Sequence, residues 1–122
     1  MYRILIVDDS RISRLQIKKI LPIDNVVVAE CDSGSEAIEK LKDNYYHLIL
    51  LDLLMPEIDG FSVLRFIKDN CISIKIIVIS ADIQDSTRKE VEQLGAFAFL
   101  NKPPDKSKLN DLIKQLMESE TN

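Results

Sequence analysis

Five residues of this sequence are of types that handle phosphate and metal ions: Asp8, Asp9, Asp52, Ser80 and Lys102. Crowded carboxylates repel one another, and their pKa values rise unless positive charge compensates. Lys102 could supply one such charge, and a hard divalent cation two more. All-oxygen ligation suits Mg2+, which keeps several waters and is often held by one or two carboxylates plus a phosphate. A free carboxylate beside such an ion can attack phosphorus and become an aspartyl phosphate. The cation and the lysine would neutralise oxygens in the transition state.

Whether these residues meet depends on the elements that carry them. Leu48-Ile49-Leu50-Leu51 is a continuous aliphatic run that ends in Asp52. Such a run, closed by turn residues, reads as a strand buried on both faces. Pro56 and Asp59-Gly60 turn the chain just after it. Asp52 therefore belongs at the carboxyl end of a central strand, where open α/β sheets bind their ligands. Residues 2–7 form a first strand ending in Asp8-Asp9. Ser10 caps a helix over 11–21, with Ile12, Leu15, Ile17 and Ile20 on or near one face, and Pro22 stops it. Residues 26–29 form a second buried strand. Ser33 and Glu36 make a capping box that opens a helix to about 43, with Ala37, Ile38 and Leu41 inward.

After Gly60 a helix runs to about 70 through Val63, Leu64, Phe66 and Ile67. A fourth strand over 74–79 ends at Ser80. A helix follows over 84–94, closed by Gly95. The fifth strand is 96–100, and a last amphipathic helix uses Leu109, Leu112, Ile113 and Leu116. Strict alternation of this kind implies a parallel sheet with helices on both faces and right-handed crossovers. Parallel alignment brings the ends of strands one, three, four and five to one edge, so the five chemical residues converge. Glu30-Cys31-Asp32 ends an outer strand and is set aside.

Composition narrows the function class. The 122 residues suit a single domain spanning 1–122, with enough chain to bury a core unaided. Net charge is −4, with no basic block, which argues against non-specific nucleic-acid or anionic-membrane binding. Cys31 and Cys71 match no metal spacing, and both read as small buried hydrophobes in a reducing, cytoplasmic setting. The start does not read as a signal peptide, and no apolar run approaches the ~20 residues of a membrane span. His47 opens a strand and reads as a surface residue. Arg88, Lys89 and Lys106 read as a solvated face. Phe97 and Phe99 lie on one side of their strand.

The sequence resembles the response-regulator receiver domains of two-component signalling, of the CheY-like single-domain type. The likeness covers essentially the whole chain and is carried by Asp8-Asp9, by Asp52 with Met55-Pro56 and Asp59-Gly60, by Ser80-Ala81 and by Lys102-Pro103. It implies a flavodoxin-like doubly wound (βα)5 fold with strand order 2-1-3-4-5, an order given for CheY itself. It implies that Asp52 accepts a phosphoryl group from a histidine kinase or phosphotransfer protein. Mg2+, with Mn2+ as a substitute, would be held by Asp9, Asp8, Asp52 and the backbone carbonyl of Leu54. Ser80, with small Ala81 beside it, and Lys102 would bind the phosphoryl oxygens, Phe99 would be the switching aromatic, and the bond before Pro103 would be cis.

The resemblance further implies a signalling module rather than an enzyme, one that self-phosphorylates from small donors and self-dephosphorylates. It would act on a protein partner through the fourth-helix, fifth-strand and last-helix face, as a monomer or a weak phosphorylation-dependent dimer. Some positions vary. Phe99 lacks the phenol of the tyrosine often found there, Pro104 makes a double proline, and apolar Leu54 cannot orient an attacking water, which implies slow self-dephosphorylation. Three alternatives are weighed: a degenerate receiver acting as a constitutive binding module, a haloacid-dehalogenase-type phosphatase, and a flavin-binding flavodoxin. The second wants an acid two residues after the nucleophile, where Leu54 stands. A flavodoxin would want a Ser/Thr/Gly-rich loop where Asp8-Asp9 is found.

Overall fold

A computed structural model describes residues 1–22 and 24–121. Strands β1 (Tyr2–Val7), β2 (Val26–Cys31), β3 (Leu48–Leu51), β4 (Lys75–Ser80) and β5 (Ala98–Asn101) alternate with five helices. These are α1 (Arg11–Ile20), α2 (Gly34–Asp43), α3 (Gly60–Asp69), α4 (Asp85–Gln93) and α5 (Lys106–Thr121). The strands pair in parallel in the order β2-β1-β3-β4-β5. The parallel sheet is the one expected from the alternation of elements, and its order is the flavodoxin-like doubly wound order that the family resemblance implied.

Side chains alternate across the sheet with a period of two. Leu5, Val7, Ile49, Leu51 and Val78 face α2, α3 and α4, where Ala37, Leu41, Val63, Leu64 and Val91 close one core. Ile4, Ile6, Leu48, Leu50, Ile77 and Ile79 face α1 and α5, where Ile17, Leu109, Ile113 and Leu116 close the other. The central β3 is thus buried on both faces, so Asp52 follows a strand packed on either side.

Helix starts follow their caps. Ser10 Oγ accepts from the Ser13 N–H at 3.2 Å, Ser33 Oγ from the Glu36 N–H at 3.2 Å, and Asp59 Oδ1 from the Ser62 N–H at 3.0 Å. Gly60 is required by close approach. A Cβ there would run into the Asp52 carbonyl and lie 2.7 Å from Leu53 Cα. The start of α3 therefore sits directly against the strand end that carries Asp52.

Several expectations need correction. Cys71 is exposed, with φ 51°, because it lies past the end of α3 in a left-handed turn; only Cys31 is buried. Ile12 and Leu15 face solvent, since α1 buries the side bearing Ile17, and Ile12 lies about 140° round the helix from it. His47 is half-buried: its Nδ1 accepts from the Arg3 N–H at 2.9 Å and its ring stacks on Tyr2 at 4.7 Å between centroids. β2 is only half-buried, as an edge strand with one neighbour, and it runs on to Cys31. β5 begins at Ala98 rather than Ala96, because the Ala96 N–H closes the end of α4 on the Val91 carbonyl at 3.0 Å.

Candidate functional site

The strand register builds the site. Val7 pairs with Leu51, so the residues that follow them, Asp8 and Asp52, leave the sheet side by side. Their backbones are already satisfied: the Asp52 N–H donates to the Val7 carbonyl at 2.9 Å and the Asp8 N–H to the Cys31 carbonyl at 3.1 Å. The carboxylates face one another, and Asp8 Oδ1 also accepts from the Ser10 N–H at 2.8 Å. Asp8 is 2 % exposed and Asp52 5 %, while Asp9 is open to solvent. One oxygen from each of the three lies within 4.8 Å of the others.

β4 and β5 close the other side. Ser80, fully buried, pairs with Asn101, and the Lys102 N–H donates to the Ser80 carbonyl at 3.0 Å. The Lys102–Pro103 peptide bond is cis. Lys102 Nζ lies 2.8 Å from Asp8 Oδ2 and 3.5 Å from Asp52 Oδ2, so it leans on Asp8 and only flanks Asp52. Ser80 Oγ accepts from the Asp82 N–H at 3.0 Å, which leaves its own proton available to another acceptor.

The electrostatics follow from this packing. Burial first, then the negative charge of Asp8, pushes the Asp52 carboxyl up to about 6; Lys102 and the Leu54 backbone N–H act against them. Burial alone would lower the Lys102 ammonium, but the hydrogen bond to Asp8 and the charges of Asp52 and Asp8 outweigh it and hold Lys102 above its ordinary value. Three carboxylates and one ammonium leave an excess of two negative charges, and one divalent cation would balance them. The donor set is oxygen throughout, with one ligand open to water, and so fits Mg2+.

Other predicted residues fall outside the carboxylate cluster. Leu54 turns an exposed side chain to solvent, 59 % accessible. Ala81 is exposed. Phe99 is 8 % exposed, pairs with Val78 in the sheet, and carries the Arg88 guanidinium 4.8 Å above its ring. Phe97, on the same side of the strand, is exposed, with Lys75 Nζ at 5.9 Å.

Sequence reasoning missed Arg14. Its Nη1 donates to the Asp8 carbonyl at 2.7 Å, and its Nε pairs with Glu30 at 3.0 Å, while Lys18 holds the other Glu30 oxygen at 2.7 Å. The available signal was the spacing, since Arg14 follows the Ser10 cap by one helical turn and so returns to the strand-end side. Glu30, set aside on the outer strand, enters the site's support through this pair. Asp82 and Thr87 were also missed as partners: Thr87 Oγ1 donates to Asp82 Oδ2 at 2.7 Å.

Residues 4–114 match the family model of the response regulator receiver domain. The chain is 42% identical over 103 residues to the chemotaxis protein CheY of Bacillus subtilis, covering 84% of this chain and 86% of that protein. It is 38% identical over 104 residues to the chemotaxis protein CheY of Listeria monocytogenes, covering 84% and 87%. Among solved structures, a CheY-like response regulator receiver domain protein from Methanospirillum hungatei superposes with a TM-score of 0.87 at 27% identity, covering 99% of this chain and 98% of the other.

Proposed function

The chain belongs to the response regulator receiver family, and from that premise we propose that it is a phosphorylation-controlled signalling switch with Asp52 as the phosphoacceptor. The observation that carries the reading is the convergence of Asp8, Asp9, Asp52 and Lys102 at the end of the central strand. In the transfer step an Asp52 oxygen attacks the phosphorus of a phosphohistidine on a histidine kinase or phosphotransfer protein. A P–O bond forms, the P–N bond breaks, and the imidazole keeps the electron pair and takes up a proton. Attack needs Asp52 ionised, which its burial, and then its crowding by Asp8, opposes.

Mg2+, or Mn2+ in its place, would be held by Asp8, Asp9, Asp52 and the Leu54 backbone carbonyl, and when bound supplies charge neutralisation to the phosphoryl oxygens. Lys102 exchanges its contact with Asp52 for one with a phosphoryl oxygen. Ser80 donates its free proton to another. The phosphoryl group brings about −1.5 to −2 charge. Two charge-assisted hydrogen bonds at ~1.5–3 kcal/mol each approach the ~5.5 kcal/mol that a full two-state reversal needs. A bound partner supplies the rest.

The output face is α4, β5 and α5. Arg88, Phe99, Asn101 and Lys108 line a groove there of about 490 Å³. Phe99 is buried in this structure, so the aromatic part of the switch is a rearrangement of the packed ring and of the Arg88 above it. At the edge that bears Asp52, the exposed Ile12 and Leu54 give a phosphodonor an apolar footing. The protein works by binding other proteins rather than as an enzyme, in the cytoplasm, as a monomer or a weak phosphorylation-dependent dimer. No helix among the described residues is long and apolar enough to cross a membrane, and the net charge of −4 opposes direct nucleic-acid binding.

Incubation with Mg2+ and acetyl phosphate or phosphoramidate, followed by intact-mass measurement, tests the reading. The expected result is a single phosphoryl adduct on the wild type and none on Asp52→Asn. An adduct on Asp52→Asn, or none on the wild type, sinks it.

A further inference from the structure

Three hydrogen bonds lead from the site onto α4. Ser80 Oγ accepts from the Asp82 N–H at 3.0 Å. Asp82 turns its carboxylate back over the helix start, where Oδ1 accepts from the Gln84 N–H at 3.1 Å and Oδ2 from the Thr87 hydroxyl at 2.7 Å. Gln84, the N-cap residue of α4, makes no side-chain cap bond, so Asp82 caps the helix from two residues earlier. Thr87 is buried on the core side of α4 with Val91, and a hydroxyl so placed needs a partner. The Gln84 N–H and then the Thr87 hydroxyl hold the Asp82 carboxyl below its ordinary value, so the carboxylate is charged and the bonds to it are charge-assisted. The residue after Thr87 is Arg88, which lies over Phe99 and lines the groove of the output face.

We propose that Thr87 is a positioning residue whose hydrogen bond to Asp82 ties the Ser80 loop to α4, so that a displacement of Ser80 reaches Arg88 and Phe99. The inference rests on the reading of Asp52 as phosphoacceptor and of Ser80 as a ligand of its phosphoryl group. Ser80 is already an acceptor for the Asp82 N–H. When its oxygen is drawn towards Asp52, the Asp82 peptide is drawn with it. The Asp82 carboxylate is anchored on the first turn of α4 through Thr87, the third residue of the helix, so the loop and the helix start move together. Without the Thr87 hydroxyl, the tie the Asp82 carboxylate keeps among the described residues is to the Gln84 N–H, at the N-cap and ahead of the first helical residue. The loop then moves without the helix.

The test follows the Ser80 amide, the Arg88 Nε–H and the Phe99 ring by NMR as Mg2+ and beryllofluoride, a stand-in for the phosphoryl group, are added. Thr87→Val removes the hydroxyl at nearly constant volume. It should keep the Ser80 response and reduce those of Arg88 and Phe99 at least about twofold. Thr87→Ser should restore them, which a purely packing role for the threonine methyl would not predict. Undiminished responses at Arg88 and Phe99 in Thr87→Val overturn the proposal. Loss of the Ser80 response in that variant overturns it too, because the bond would then serve binding rather than transmission. If Thr87→Val does not fold, Asp82→Ala cuts the same bond from the loop side and is read in the same way. A wild-type protein that gives no response at any of these residues overturns the reading of the Asp52 site instead, so the two failures are told apart.

Discussion

His47 and Asp52 flank the same four-residue strand, β3, one at each end. At the amino end the polar groups finish the sheet. His47 accepts from Arg3, donates its own N–H to the Arg3 carbonyl at 2.8 Å, and offers its carbonyl to the Lys75 N–H at 3.0 Å; its ring lies between Tyr2 and the edge of Tyr45. The Tyr2 hydroxyl, without a hydrogen-bond partner among the described residues, is an exception, and burial pushes it up to about 12, so it stays neutral. At the carboxyl end Arg14 and backbone partners satisfy the backbone, and the carboxylates of Asp8, Asp9 and Asp52 crowd together beside Lys102. The lesson is one of direction. The carboxyl edge of a parallel sheet faces helix N-termini, whose free N–H groups favour anions, and the amino edge faces their C-termini. A cluster of acids is therefore favoured at the carboxyl edge.

The largest effect that should separate the two ends is on phosphoryl uptake. Asp52→Asn should abolish it, whereas His47→Phe should leave its rate within about twofold while costing about 1 kcal/mol in chemical denaturation through the lost hydrogen bond. Equal loss of uptake in both variants would break the contrast. Gly60→Ala should come next. It forces a Cβ into the Asp52 carbonyl, and overpacking of this kind costs about 1–3 kcal/mol, read as a lowered melting temperature.

The pH dependence is smaller. Asp52 titrates at 3.8 ordinarily and at about 6 in the fold. Protonated Asp52 thus favours folding, fully below pH 3.8, and that contribution is lost as pH rises through about 6. In chelator, Asp52→Asn should be more stable than the wild type by about 1–2 kcal/mol at pH 8, allowing for solvent screening, and no more stable at pH 3.5. Added Mg2+ should shrink the gain at pH 8. A stability difference that is flat from pH 3.5 to 8 would show that charge crowding is not what distinguishes this edge. The smallest effect expected is at Glu57, whose φ of 65° is left-handed, in the loop between Asp52 and α3. Glu57→Gly should raise stability by under about 1 kcal/mol, the relief of strain being partly offset by chain entropy.

Much of this was legible in the sequence. Leu48–Leu51 is apolar without a break, so it had to be a doubly buried strand, and the acid that ends it had to sit at a strand mouth. Tyr2–Val7 before Asp8-Asp9, and the apolar run over 74–79 that leads to Ser80, the last residue of β4, obey the same local rule. What misled was helix rotation and exposure. Ile12 and Leu15 are apolar but lie off the face set by Ile17. Cys71 is a residue type that is usually buried, yet it falls in a turn. His47 is a polar residue drawn inward by a backbone N–H of the neighbouring strand, a partner forty-four positions away.

Residue order alone places Asp8, Asp52 and Ser80 at strand ends, because strand period, run length and termination are local properties. It also determined that three acids and a lysine share one edge, because parallel order follows from the alternation of strands and helices. How they divide their contacts depends on the folded packing. Lys102 leans on Asp8 rather than Asp52, Arg14 reaches back to the Asp8 carbonyl with Glu30 holding it, and Asp82 spends its carboxylate on Thr87. These choices depend on distances of tenths of an ångström between elements far apart in the chain. They are set by how the helices rotate to bury their apolar faces, which no local pattern encodes.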